Sequence, residues 1–123
     1  MKRDMSLIRD LLIFLEKQPA GEVTMTVEVP NGTDGATVGE HVQLLIDRDL
    51  VDGEVVSIAE PSFMIYRLTW DGHDFLQAIT NDTVWKKILA KAKELGGSMT
   101  IEIAKELGKK YLMEMAGISN PIG

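Results

Sequence analysis

The segment that most constrains the fold is residues 37–68, where a helical pattern passes into two strand patterns across short turns. Apolar side chains recur at helical spacing over 37–48, which predicts a helix with one buried stripe. Asp49 comes next, and an aspartate tolerates the left-handed backbone that closes such a helix. The segments "GEVVSIA" and "FMIYRLT", joined by residues 60–62, predict a β-hairpin. This order of elements predicts an α+β domain.

Further helices are predicted on both sides of this segment. Apolar residues on one stripe predict an N-terminal helix, and alternating apolar and polar residues in "VTMTVEV" predict a strand. Residues 30–35, rich in turn formers, are expected to form an exposed loop. The predicted helices cover 5–17, 37–48, 70–79 after an N-cap at Thr69, 83–95, and a last segment that follows Ser98 or Thr100 and ends near 115; the strands cover 23–29, 53–59 and 63–69.

Length and composition exclude several classes of protein. The 123 residues fit one domain that can bury a sizeable core. The chain has no cysteine, which excludes disulfides, thiolate nucleophiles and cysteine-ligated zinc. Charged residues interrupt the apolar part of the N-terminal segment, and no run approaches the roughly 20 apolar residues of a membrane span. We therefore expect a cytoplasmic protein with no membrane partner.

Several stretches resemble known proteins. The residues "HVQLLIDRDLVDG", the hairpin after them and "LTWDGHDFL" resemble the recognition helix, wing and following helix of winged helix-turn-helix regulators. With "MKRDMSLIRDLL" and "LTWDGHDFLQAITNDTVW", the chain is similar to DUF2513, an uncharacterised family of small bacterial and prophage-encoded proteins. The resemblance implies a winged-helix fold but no catalytic or binding residues. We expect a winged-helix-like domain over 1–80, a C-terminal helical extension over 81–117 packed on the same core, and a flexible tail over 118–123.

Three observations weigh against DNA binding by the second helix. With its buried stripe turned inward, its outer face carries Glu40 and Asp47 beside Gln43 and Leu44. Residues 21–80 carry two arginines against eleven acids, although phosphate contacts need cations. In addition, "PNGTDGA" leaves room for at most one helical turn where a helix-turn-helix has a complete helix. The resemblance to winged-helix regulators favours DNA binding, whereas the acidic charge of residues 21–80 opposes it.

No arrangement of residues predicts catalysis, and we expect no enzyme. The two histidines, His41 and His73, lack metal-ligand spacing. Asp71, His73 and Asp74 fall in the first turn of a predicted helix, where acids favour the helix dipole and a histidine can simply pack. "NGTDGATVGE" lacks the Lys-Ser/Thr pair of a phosphate-binding loop. We expect no cofactor and no metal.

The aromatic and basic side chains on the later helices are expected to have structural roles rather than binding roles. Trp70 and Trp85 are assigned to apolar helical stripes, so both are predicted to pack in the interior. The lysines of "TVWKKILAKAKEL" are spread around their helix, which predicts a solvated face rather than a focused basic patch.

Two functions remain open. In the first, the protein is a DNA-binding or transcription-associated accessory factor of phage or prophage origin, expected to act as a dimer. Its candidate contacts are His41, Gln43, Arg48, Arg67, Lys2 and Arg3. In the second, it is a winged-helix protein-interaction module that binds no DNA and whose acidic middle meets a basic protein partner or a second copy. Leu44, on the outer face of the second helix, is the candidate interface residue.

Overall fold

The computed structural model describes residues 3–19, 21–24, 35–57, 62–96 and 99–117. In chain order its elements are α1 (Met5–Glu16), β1 (Gly21–Thr24), α2 (Gly35–Asp47), β2 (Val51–Ser57), β3 (Ser62–Leu68), α3 (Trp70–Ile79), α4 (Asp82–Glu94) and α5 (Ile101–Met115). The chain divides into two compact units, Met1–His73 and Asp74–Gly123, and α3 begins in the first and ends in the second. Helices and an antiparallel sheet together confirm the α+β class.

The predicted elements are found within a few residues of their expected bounds. β1 is described as far as Thr24, so the rest of the predicted strand lies outside the described residues. The same holds for most of the predicted loop at 30–35, for residues 60 and 61 of the predicted hairpin connection and for the predicted tail at 118–123. None of the helices in the described ranges is long and apolar enough to cross a membrane.

The first unit is built on a three-stranded antiparallel sheet in the order β1-β3-β2. The pairing of β2 with β3 confirms the predicted hairpin, and β1 pairs with the other side of β3. α1 packs on α2 and β3, and α2 packs on β2, so two helices and the sheet enclose one core. Fully burying one such leucine or phenylalanine contributes about 1.5–3 kcal/mol. The buried core residues are Leu7, Ile8, Leu11, Leu12, Leu15, Val38, Val42, Leu45, Leu50, Val51, Phe63, Ile65 and Leu68.

α2 ends in a left-handed turn at Asp49, as predicted, with a φ of 56°. The Asp49 N–H donates to the Ile46 carbonyl at 3.0 Å, and the Leu50 N–H donates to the Leu45 carbonyl at 3.0 Å. This pair of bonds is the Schellman pattern, which satisfies carbonyls that the end of a helix leaves without partners. The turn delivers Leu50 into the core immediately before β2 begins.

The start of α3 is fixed against that same turn. Thr69 donates its backbone N–H to the Leu50 carbonyl at 3.1 Å, and its hydroxyl donates to the Asp49 carbonyl. The hydroxyl oxygen also accepts the Gly72 N–H at 3.0 Å, which makes Thr69 the N-cap that the sequence predicts. A Cβ built on Gly72 would overlap the Leu50 carbonyl oxygen and lie 2.9 Å from its carbon. We call these contacts of Thr69 and Gly72 with Asp49 and Leu50 the Thr69–Gly72 clamp.

The second unit contains the pair α4 and α5, which pack against each other. Asn81 caps α4 through the Val84 N–H at 3.1 Å, and Thr100 caps α5 through the Ile103 N–H at 3.1 Å. Gly108 lies close to Ala78, where an added Cβ would meet the alanine methyl at 3.0 Å. The buried side chains of this unit are Phe75, Leu76, Ala78, Ile79, Val84, Trp85, Ile88, Met99, Ile101 and Ala104.

The lysines of α4 are exposed, as the prediction of a solvated face requires. Lys91 Nζ lies 3.0 Å from Glu94 Oε2 within the same helix. The hydrogen bond with Glu94, and the charge of that carboxylate, raise the pKa of Lys91 above its ordinary value. An exposed pair of this kind contributes little to stability.

The predicted packing is confirmed for Trp85, which is buried, and is wrong for Trp70, whose exposed fraction is 82%. At 100° per residue, Trp70 lies about half a turn around α3 from Gly72 and from Ile79. Gly72 and Ile79 face inward, so Trp70 must face outward. Trp70 therefore does not belong to the buried apolar stripe of α3, although it is one of the helix's large apolar residues.

The clamp predicts that Gly72→Ala destabilises the protein severely, by at least about 3 kcal/mol, because the Leu50 carbonyl must move to admit the methyl group. Gly96→Ala is the matched control: Gly96 has a φ of 63° and nothing within 4 Å of an added Cβ. Its cost is therefore limited to the left-handed backbone, about 1 kcal/mol. Urea unfolding of both variants measures the two costs, and equal losses would show that the close approach at Gly72 does not constrain the fold.

Candidate interaction surface

His41, one of the candidate DNA contacts, is fully buried in the first unit. Its Nδ1 lies 2.8 Å from the Thr37 carbonyl oxygen, which can only accept, so Nδ1 carries the proton. Its Nε2 lies 2.9 Å from the Asp4 backbone nitrogen, which can only donate, so Nε2 accepts. The ring therefore ties the N-cap residue of α1 to the first turn of α2. This burial removes His41 from any surface that reaches a nucleic acid.

The other α2 candidates are also constrained. Gln43 is half-buried, and its side-chain amide donates to Asp47 Oδ1 at 2.8 Å. Leu44 is half-buried rather than fully exposed, so its role as an interface residue stays a prediction. Arg48 is exposed just beyond the end of the helix. The outer face of α2 thus offers few donors to bases or phosphates.

The remaining cationic candidates come from separate parts of the first unit. Arg3 is exposed before α1, and Lys2 lies outside the described residues. Arg67 is exposed in β3, where its Nε lies 3.5 Å from Asp52 Oδ2 on the neighbouring strand. Arg3, Arg48 and Arg67 therefore occupy three different elements or turns, and Arg67 is partly neutralised by its partner.

A β-bulge near the base of the hairpin displays two side chains that strand alternation would separate. Asp52 is opposite Arg67, but Gly53 is opposite Ile65, so Tyr66 is an extra residue on β3. Tyr66 and Arg67 are consecutive in sequence and both are exposed. Gly53 permits this geometry, because a Cβ there would overlap the Met64 carbonyl oxygen and approach the Ile65 Cα to 3.2 Å. Bulges commonly redirect side chains in this way.

These residues border a two-part depression in the first unit. One part, with a volume of about 180 Å³, lies between the end of α1, at Leu15, Glu16 and Gln18, and residues 65–68 of β3. The adjoining part, about 450 Å³, extends to Trp70. Arg67, Leu68 and His73 line both parts. We call the exposed set Tyr66, Arg67, Trp70 and His73 the aromatic surface.

The aromatic surface combines exposed apolar rings with nearby charges of both signs. Trp70 is 82% exposed and Tyr66 is 52% exposed, whereas large aromatic side chains usually lose most of their contact with water on folding. The Asp52 carboxylate offsets the charge of Arg67, and Glu16 adds a further carboxylate at the rim of the depression. The set has the composition of an energetic centre of a protein interface, in which Trp, Tyr and Arg are enriched.

The predicted sites missed Tyr66, Trp70 and His73 as a group, although two signals were present in the sequence. Gly53 is the first residue of the predicted strand 53–59, and a glycine in a strand often marks a bulge. The angular position of Trp70 on α3 is opposite to the buried residues.

Among the described residues, no group of three or more histidines and acids could hold a metal ion.

The buried histidine gives a direct test of the first unit. His41→Leu removes the acceptor of the Asp4 N–H and the side-chain donor to the Thr37 carbonyl, and should lower the free energy of unfolding by about 1–3 kcal/mol. The control His73→Leu alters an exposed ring and should change it by less than about 0.5 kcal/mol. Long-range nitrogen–proton NMR should show a protonated Nδ1 and an unprotonated Nε2 on His41. The opposite tautomer would contradict the two contacts.

Comparison with known proteins identifies the family. The model described as "Hypothetical protein (DUF2513)" matches residues 2–98. An "Uncharacterized protein" of Haemophilus influenzae is 31% identical over 116 residues, which cover 94% of this chain and 98% of the relative. No solved structure matches the chain. These matches confirm the resemblance to DUF2513, and the chain belongs to that family.

Proposed function

We propose that this DUF2513 protein is a winged-helix-like protein-interaction module whose contact surface is the aromatic surface rather than the outer face of α2. The order of helix, strand, helix and hairpin, with the sheet order β1-β3-β2, supports the winged-helix-like layout. The observation that carries the functional part is the 82% exposure of Trp70, which lines the same depression as Arg67 and His73.

The energetic argument starts from the area of the indole ring. A tryptophan side chain can bury on the order of 200 Å² in a contact, and apolar area contributes about 25 cal/mol per Å². Covering Trp70 therefore offers several kcal/mol of favourable free energy that the isolated chain does not use. The clamp holds the first turn of α3 in place, so little ordering is required before a partner binds.

DNA binding through α2 is the competing function. The burial of His41, the pairing of Gln43 with Asp47 and the pairing of Arg67 with Asp52 reduce the number of candidate donors. The exposed Arg3 and Arg48 are the observations that favour it. With two arginines against eleven acids over residues 21–80, the electrostatic term that dominates non-specific DNA affinity is unfavourable.

The proposal predicts site-specific cross-linking to protein. A photoreactive benzoylphenylalanine replaces Trp70 in cells of the source organism, and the same residue replaces the exposed Lys86 on α4 as a control. Illumination should give discrete adducts at position 70 that resist nuclease and disappear in the Tyr66→Ala, Arg67→Ala background. Identical adducts at both positions, or adducts removed by nuclease, would contradict the proposal.

A parallel binding experiment tests the competing function. The anisotropy of a labelled random DNA duplex is followed as wild-type protein is added at low and near-physiological salt. We expect affinity weaker than about 10 µM even at low salt, since few cations are available to replace phosphate counterions. Tight binding that weakens with salt and is lost in Arg48→Ala would instead assign DNA contact to the end of α2.

A further inference from the structure

We infer that the partner segment is basic and places an arginine or lysine cation over the Trp70 indole, an inference that rests on the proposed function. The indole is the aromatic ring that attracts cations most strongly, through the negative electrostatic potential of its faces. Because Trp70 is 82% exposed, its ring is accessible to a cation from another chain.

Contacts between a cation and an aromatic ring also occur inside the second unit of this protein. Lys87 Nζ lies 5.5 Å from the centroid of the Tyr111 ring, and Lys110 Nζ lies 5.9 Å from it. Both distances are within the roughly 6 Å range over which a cation is attracted to an aromatic face. Tyr111 obtains its cations from its own unit, whereas Trp70 lies in the acidic middle of the sequence.

The charges around the aromatic surface favour a basic occupant. Asp52 lies 3.5 Å from Arg67 and offsets its charge, while the exposed Glu16 lines the depression. Residues 21–80 carry eleven acids against two arginines, so the long-range field attracts a cationic segment and repels an acidic one. A nucleic acid could stack a base on Trp70, but its phosphates would meet this same acidic charge.

The size of the depression sets the scale of the contact. Its parts, about 180 Å³ and 450 Å³, can take individual side chains of an extended segment. We therefore assign the occupant as a short basic peptide segment, with one aliphatic or aromatic side chain between α1 and β3 and one cationic side chain over Trp70.

The test is a selection of random dodecapeptides displayed on phage against the full-length protein. Wild type and Trp70→Leu are used as parallel targets, and circular dichroism verifies that both are folded. Leucine keeps an apolar side chain but removes the aromatic face. We expect peptides that are recovered only on wild type and are enriched in arginine or lysine. Synthetic copies of these peptides should bind Trp70→Leu about 3- to 30-fold more weakly, the range that a cation–aromatic contact supplies.

Charge-neutralising variants separate a specific contact from general attraction. Glu16→Gln should weaken the selected peptides about two- to fivefold, whereas Glu106→Gln, an exposed acid on α5, should change binding less than twofold. Equal effects of both variants would overturn the assigned geometry by showing that only net charge matters.

The remaining outcomes distinguish the two levels of the proposal. Peptides that depend on Trp70 but lack arginine and lysine would overturn the basic partner and leave the protein-interaction function standing. Failure to recover any peptide that depends on Trp70 would overturn both. Binding of a labelled single-stranded oligonucleotide that is lost in Trp70→Leu would replace the peptide with a nucleic acid.

Discussion

The first unit depends on the contact between the turn after α2 and the start of α3. Thr69 donates to the carbonyls of both Asp49 and Leu50, and the absence of a side chain at Gly72 lets the Leu50 carbonyl approach the helix. The contact joins residues about twenty positions apart and closes the base of the hairpin between them. Its position explains the spacing in "LTWDGHDFL": the threonine caps the helix, and the glycine three residues later admits the neighbouring backbone.

The clamp also determines which residues of α3 meet solvent. Gly72 is held against Leu50, so Trp70, about 200° away around the helix, is directed outward. In β3, the strand that precedes α3, the bulge at Tyr66 brings both Tyr66 and Arg67 to the exposed side. A backbone constraint and a strand irregularity thus assemble the aromatic surface, and its proposed function follows from exposure that folding alone does not explain.

Local patterns predicted most of the architecture because their causes are local. The stripe of α1, the left-handed Asp49 and the cap at Thr100 depend on residues within a few positions of one another. His41 could not be assigned in this way, since its partner Asp4 is 37 positions away and the contact exists only after α1 and α2 have packed. The position of the bulge likewise depends on the register of β2 and β3, which Gly53 alone does not fix. Trp70 differs from both, because its angular position on α3 was available in the sequence and was misassigned.

The aromatic surface depends above all on the solvent exposure of Trp70, and fluorine NMR of the protein labelled with 5-fluorotryptophan tests that exposure most directly. The chain has two tryptophans, so two resonances are expected, and Trp70→Phe assigns them. The Trp70 signal should show a large shift between H2O and D2O and strong broadening by a soluble paramagnetic agent, while the buried Trp85 signal changes little. Equal protection of the two signals in the isolated protein would contradict an aromatic surface available to a partner.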